Sequence, residues 1–502
     1  MATILKGFIS IFGAKVSNLV LMFVITPILV RLLGSSGYGD YSFLLSLTAV
    51  SFILVNAGTF DGTRKFIAEN REFANWTEYV IGYYLRVGAI LAGFALIIYS
   101  LISWFGLSSF IFGPPFDLYF ILVGILLLAK QYSNTSRGGL MGLSLEHQSE
   151  PLVVLRKFLF GLSAICLALL GLDVVGVLIG RIFAFTIVGT IGYILLSRHI
   201  NIKYIFKKLP DDFPRKELLA FNGLSIVLIF LIFSLYHVDI LLIRPLTGSD
   251  QAGFYKAALV IAQFLWFAPR ALQTVLLHSS SEMWTTKGSD EVSDMISQLT
   301  RFNVTFTLLL ILGLGSLAAD FVPIYYGPDF QQAVLPLLLL LPGTLGFAVT
   351  RPIMAVGQGK GTLRPLIVAT GAAAAINLVL NLLLIPQYGM VGAGVATSVG
   401  YGSMLVFHGI AARRIGYDPF RDLRLARIAI TAGVSAPVIV GLSLAIPHSI
   451  LSLVVVPPVG FVVYGVLVLR TRVIDVDELD PIVERVPEPV DAWVSRTLSI
   501  VA

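Results

Sequence analysis

RLLGSSGYGDYS, residues 31–42, is a Gly- and Ser-rich turn set between two long apolar segments. Residues 244–256, RPLTGSDQAGFYK, repeat its order of Arg, Leu, Gly-Ser, Gly and Tyr with one residue inserted, again between apolar segments. One turn of this composition decides nothing, but other landmarks keep the same offset of roughly 214 residues, and self-similarity at a fixed period marks internal duplication. Arg137 with Met141-Gly142 answers to Arg351 with Met354 and Gly357, and Leu170 to Gly180 (LGLDVVGVLIG) answers to Ile385 to Ala396 (IPQYGMVGAGVA). The chain therefore reads as two related halves with an addition.

Apolar residues make up 57% of the 502 and charged residues 13%, against about 25% charge in a soluble domain, and mean hydropathy is +0.88. Such a chain crosses a bilayer many times. Strand-like alternation is scarce, which argues against a barrel and predicts an all-α polytopic membrane protein. A span takes about 20 mostly apolar residues, and about 14 transmembrane helices can be placed on that rule. Six fall at roughly 8–33, 38–60, 77–104, 117–138, 152–172 and 174–197, and six at roughly 218–243, 252–279, 299–320, 330–356, 363–386 and 389–412. Two more, at roughly 424–446 and 450–470, have no counterpart in the repeat. The expected organisation is an N-terminal six-helix bundle (1–200), a basic cytoplasmic linker (201–217), a C-terminal six-helix bundle (218–415), two additional transmembrane helices (416–470) and an acidic, amphipathic cytoplasmic tail (471–502).

Basic residues gather in alternate loops: Arg64, Lys65 and Arg71; then Arg137, Arg156 and Lys157; then the stretch from Arg198 to Lys216; and later Arg413 to Arg427. By the positive-inside rule these loops and both termini are cytoplasmic. The net charge of +6 is thereby a matter of orientation in a cell membrane and not of nucleic-acid binding. An even number of spans per repeat gives both halves the same polarity, and a cavity between them is the expected site.

No nucleophile elbow, phosphate loop or zinc-binding helix is present, and the lone Cys166 excludes an internal disulfide. Gly357, Gly359 and Gly361 fit an inter-helix turn, Gly392 and Gly394 close helix packing, and His237 a hydrogen-bonded helix residue. No cofactor, no metal site and no enzymatic activity are expected. The informative residues are charges within spans, because an ionised group at mid-membrane costs several kcal/mol and normally faces protein or water. Lys15, Arg86 and Lys130 lie roughly 10–14 Å from the cytoplasmic ends of their spans at 1.5 Å per residue. They either ring a cavity suited to an anionic substrate or carry their charges to the interface on long stems. Arg181 and Arg270 add cations at other depths. Asp239, the one acid well inside a span, either binds a coupling cation or pairs with a neighbouring base. Pro27 removes a hydrogen bond to the carbonyl of Phe23 and predicts a kink, a candidate hinge, in the first helix.

With RLLGSSGYGDYS (31–42), the Asp239 span leading into RPLTGSDQAGFYKAA (244–258), IYYGPDFQQAVLPLLLL (324–340) and NLVLNLLLIPQYGMVGAGVATSVGY (377–401), the chain resembles the polysaccharide-transporter branch of the multidrug/oligosaccharidyl-lipid/polysaccharide exporter superfamily. The resemblance implies two six-helix bundles, often with two extra helices, and alternating access of a central cavity. It also implies a flippase that carries an oligosaccharide on a polyprenyl or dolichyl phosphate from the cytoplasmic to the outer leaflet. Lys15, Arg86 and Lys130 match, by position and chemistry, cavity cations that hold the phosphate. Partners would be the lipid-linked oligosaccharide and membrane lipids, with glycan-assembly proteins as further candidates. The alternatives are a cation-coupled multidrug exporter, which would show cavity carboxylates, and a non-transporting scaffold or membrane glycosyltransferase, which would show an acidic outer-loop motif and a sizeable extramembrane region.

Overall fold

A computed structural model describes residues 2–479 except Asn70 and Asn222, with side chains from Ser17 onward apart from Leu224 and His278. The side chain of Lys15 and the tail expected to be amphipathic beyond Leu479 lie outside the described residues. All regular structure among the described residues is helical, as hydrocarbon requires of an open chain that must satisfy its own backbone. In order the helices are α1 (Ala2–Asn56), α2 (Thr59–Ala68), α3 (Trp76–Trp104), α4 (Leu107–Phe112), α5 (Pro115–Gly142), α6 (Glu146–Leu167), α7 (Asp173–Leu196), α8 (Ile202–Ile205) and α9 (Arg215–Ala220). They continue with α10 (Gly223–Thr247), α11 (Ser249–Phe264), α12 (Phe267–Thr286), α13 (Ser289–Tyr326), α14 (Val334–Gly359), α15 (Leu363–Ile415), α16 (Leu425–Ala445) and α17 (Ser449–Arg470).

Among the described residues, ten helices are long and apolar enough to cross a membrane, or eleven when α11 and the first part of α12, bent by 55°, count as one span. That is fewer than the fourteen expected, and the reason is where helices run on without a loop. The stretches Ser17–Asn56, Glu146–Leu196 and Leu363–Ile415 hold 40, 51 and 53 residues, about twice what one crossing takes. Each is broken by a glycine at positive φ: Gly34 (66°), Gly171 (82°) and Gly389 (56°). This is backbone that a Cβ disfavours. Each break falls close to the place where the sequence separates two spans.

Compactness divides the chain inside α11, into residues 1–256 and 257–502. In the first unit α1 packs along α6 and α10, and α5 along α3 and α7. The 201–217 segment is folded onto this unit: Ile205, Phe213 and Leu218 share a buried cluster with Phe66, Trp76, Val80, Ile81 and Tyr84, and Arg71 makes two hydrogen bonds to the Glu217 carboxylate (2.9 and 2.5 Å). By sequence α10 opens the second repeat, yet it packs along α1. His237 Nδ1 meets Ser46 Oγ at 3.0 Å.

The two copies of the repeated turn also meet here. Arg244 Nε and Ser249 Oγ each donate to Asp40 Oδ1 at 2.7 Å, and Ser35 Oγ donates to Asp250 Oδ1 at 2.5 Å. A Cβ on Gly39 would lie 1.8 Å from the Ser249 carbonyl oxygen, and one on Gly253 would lie 2.1 Å from that of Ser35. The contact is reciprocal, since Gly39 and Gly253, like Ser35 and Ser249, stand at the repeat offset of roughly 214 residues. Glycine at both points lets two backbones touch.

In the second unit α14 packs on α12, α13 and α15, and α16 and α17 lie on α13, where Tyr464 Oη donates to the Thr305 carbonyl at 3.0 Å. A Cβ on Gly394, in α15, would rest 3.3 Å from Leu339 in α14, in keeping with close helix packing. Wholly buried Arg301 pairs with both Asp422 and Glu478, and Arg424 bridges Asp422 (3.1 Å) and Asp475 (2.8 Å). This network fastens the chain beyond α17 to the foot of α13.

Overpacking a tight contact costs about 1–3 kcal/mol. Gly39→Ala should therefore lower the thermal midpoint of the purified protein by several degrees. Gly93→Ala, on the open side of α3 with nothing within 4 Å of the new methyl, should leave it unchanged in the same thermal-shift measurement.

Candidate functional site

Lys130 on α5, Arg156 and Lys157 on α6, and Arg181 on α7 are all half-buried in the first unit. Each is met by a polarisable apolar group. Lys130 Nζ stands 3.8 Å from the centroid of the Phe52 ring, and the Arg156 guanidinium 4.6 Å from that of Phe185. Arg181 lies 4.4 Å from the Phe160 centroid and donates from Nε to Tyr41 Oη at 2.7 Å, while Lys157 Nζ donates to Met22 Sδ at 3.4 Å. The positive charge of Arg181 acts on Lys130, Arg156 and Lys157, and that of Arg156 acts on both lysines.

Ion pairs elsewhere in this unit join Arg137 to Glu150 (3.3 Å) and Arg244 to Asp40 (2.7 Å). Among the described residues none of the four clustered cations has one. A cation over an aromatic face gains about 0.5–2 kcal/mol, which offsets only part of the several kcal/mol that withdrawing the ion from water costs. The arrangement is thus poised to accept an anion, for which guanidinium forks supply bidentate hydrogen bonds.

Of the residues singled out in the sequence, Lys130 and Arg181 are brought together. Arg86 is not with them: its guanidinium donates to the carbonyls of Ile205 (3.1 Å) and Lys207 and ties the 201–217 segment to α3. Arg270 is exposed in the second unit, 5.4 Å from the Trp266 ring centroid. Asp239 is fully buried on α10, accepts a hydrogen bond from Tyr255 Oη at 2.6 Å and feels the charge of Lys256, which favours pairing over ion binding. Pro27 sits inside α1, and the non-helical dihedrals of that helix fall at Gly34.

Arg156 and Lys157 are grouped in the sequence with the basic residues of a cytoplasmic loop, although they fall just inside the span placed at roughly 152–172. In the structure α6 begins at Glu146, which places them about 15 Å along it at 1.5 Å per residue. The signal available was Glu146 itself, an acid in a first helical turn, where the helix dipole favours negative charge.

The fold is that of a polytopic helical membrane protein with charged groups held in its interior. The chain belongs to the family described as polysaccharide biosynthesis protein, whose pattern matches residues 4–266, and with it to the polysaccharide-transporter branch of the multidrug/oligosaccharidyl-lipid/polysaccharide exporter superfamily. An uncharacterized membrane protein of Methanocaldococcus jannaschii is 25% identical over 76% of this chain and 92% of its own length. A protein of Haloferax volcanii described as a probable low-salt glycan biosynthesis flippase is 21% identical over 80% and 82%. Among solved structures, a lipid II flippase in an inward closed conformation superposes with a TM-score of 0.70 at 12% identity, over 92% of this chain and 97% of the other. An inward-facing multidrug resistance transporter of the MATE family gives 0.62 at 15% identity, over 80% and 98%.

The contrast between Arg86 and Lys130 can be measured. Hydrogen bonds from a charged donor contribute about 1.5–3 kcal/mol each, so Arg86→Ala should lower the thermal midpoint and expose the 201–217 segment to limited proteolysis. Lys130→Ala, which removes no hydrogen bond and relieves like-charge repulsion, should leave both unchanged or raise the midpoint.

Proposed function

We propose that the protein flips a lipid-linked oligosaccharide, carried on a polyprenyl or dolichyl phosphate, from the cytoplasmic to the outer leaflet of the cell membrane, without making or breaking a covalent bond in it. The observation that carries this reading is the group Lys130, Arg156, Lys157 and Arg181, gathered in one unit with no ion pair of its own among the described residues, the nearby Glu150 being already paired with Arg137. A carrier phosphate supplies the missing charge. The polar headgroup of such a lipid is too costly to drag through hydrocarbon, so it needs a wet cationic path while its tail stays in the bilayer. A drug exporter driven by cations would want acids in the same place, and Asp239 is already engaged by Tyr255.

In this reading each helix broken at Gly34, Gly171 or Gly389 crosses the membrane twice, the termini are cytoplasmic, and the contact between the repeated turns closes the outer side. Breaking Asp40 from Arg244 then accompanies opening outward, because a path open on both faces would leak ions.

Single Ala replacements of Lys130, Arg156 or Arg181 should cut glycan export by at least about tenfold, the equivalent of losing one good charged contact of roughly 1.4 kcal/mol. The lipid-linked glycan should accumulate on the cytoplasmic leaflet while the variants reach normal membrane abundance. Normal export by all three variants would sink the assignment of the site. For topology, reporter fusions after Gly113, Pro245 and Pro386 should read as outside and those after Arg71, Lys208 and Arg414 as inside, and reversal at any two refutes the orientation.

A further inference from the structure

Beside Lys130, helices α1, α2, α5 and α10 of the first unit enclose a cavity of about 290 Å3 whose wall is chemically unlike the cation group. Two amides stand in it. Asn56 Oδ1 accepts from Asn134 Nδ2 (2.9 Å) and from Thr59 Oγ1 (2.9 Å), and Thr59 Oγ1 in turn accepts from Gln131 Nε2 (2.8 Å). With Asn56 Oδ1 occupied by two donors, the amide network leaves Asn56 Nδ2 as a donor and Asn134 Oδ1 as an acceptor. The exposed carboxylate of Asp61 lines the same space, and Phe52 and Phe233 add apolar ring surface.

A donor, an acceptor and a carboxylate beside flat apolar rings match a pyranose, which presents hydroxyls around its edge and C–H groups on its faces. The volume lies at the small end of the roughly 300–1,000 Å3 of ligand pockets, room for one ring and not for an extended glycan. Lys130 belongs both to this wall and to the cation group, so a ring held here lies next to a phosphate held there.

We propose that this cavity is a sugar subsite for the residue attached directly to the carrier phosphate, and that Asp61 restricts it to an uncharged pyranose by repelling a uronic acid. The proposal rests on the flippase reading above, and it adds to that reading the part of the substrate that the protein inspects.

The test uses the full chain in lipid nanodiscs, titrated calorimetrically with farnesyl phosphate, farnesyl phosphoryl glucose and farnesyl phosphoryl glucuronate against empty nanodiscs. The wild type should bind the glucose lipid about tenfold more tightly than farnesyl phosphate, and the glucuronate lipid no better than farnesyl phosphate. Asn134→Leu and Asp61→Ala should each bring the glucose lipid down to the affinity of farnesyl phosphate while leaving farnesyl phosphate itself unchanged. Asp61→Asn should admit the glucuronate lipid. Because Asp61 is exposed and outside the amide network, its variants keep the test valid if Asn134→Leu fails to fold. Wild-type binding of farnesyl phosphate with no preference for the glucose lipid, or a preference untouched by the Asp61 variants, overturns the subsite and leaves the flippase reading standing. Binding of none of the three lipids overturns the cationic phosphate site and the subsite with it.

Discussion

Four half-buried cations with no ion pair among the described residues are the constraint on which the first unit depends. Lys130, Arg156, Lys157 and Arg181 repel one another, and burial withholds the water that would screen them. Their aromatic and thioether neighbours soften this cost without cancelling it. A structure can hold such a group only if the surrounding helices are firmly placed for other reasons. They are, through Arg86 on the carbonyls of Ile205 and Lys207, Arg71 on Glu217, and the buried cluster around Trp76 and Phe213. The stability of the 201–217 segment on α3 is thus tied to the helix pair that presents Lys130, because α3 packs along α5.

The second unit joins two of its basic residues to acids and a third, Arg351, to a neutral amide. Arg301 is neutralised by Asp422 and Glu478, Arg424 shares those acids and Asp475, and Arg351 donates to Gln273 Oε1 at 3.0 Å. In the repeat Arg351 corresponds to Arg137, which is paired with Glu150. That pair of positions keeps a structural role in both copies, whereas the cation group of α5 to α7 belongs to the first.

The repeated turn shows how one short motif can serve two ends. Gly34 and Gly248 both take positive φ, so each copy turns the chain between helices. Gly39 and Gly253 each lack the Cβ that would strike the opposite copy's serine carbonyl. The interaction is built from backbone proximity, one ion pair and two serine hydrogen bonds.

Much of this was legible in the chain itself. Composition and the length of the apolar runs determined an all-helical membrane protein, because hydrocarbon leaves few ways to satisfy a backbone. The offset between residues 31–42 and 244–256 determined the duplication, and Lys130 and Arg181 stood out as charges where charge is costly. Other features depended on tertiary placement. Sequence could not tell that Arg86 would be spent on loop carbonyls, because a lone cation in an apolar run looks the same whether it faces a cavity or a folded linker. Nor could it show that Arg156 and Lys157 lie well along α6 and join Lys130 and Arg181, since helix starts are set by local capping and by packing on α1 and α7, not by hydropathy alone. The loss of three separate hairpin turns into continuous helices bent at Gly34, Gly171 and Gly389 was likewise decided by helix packing, which determines whether a glycine ends a helix or only redirects it.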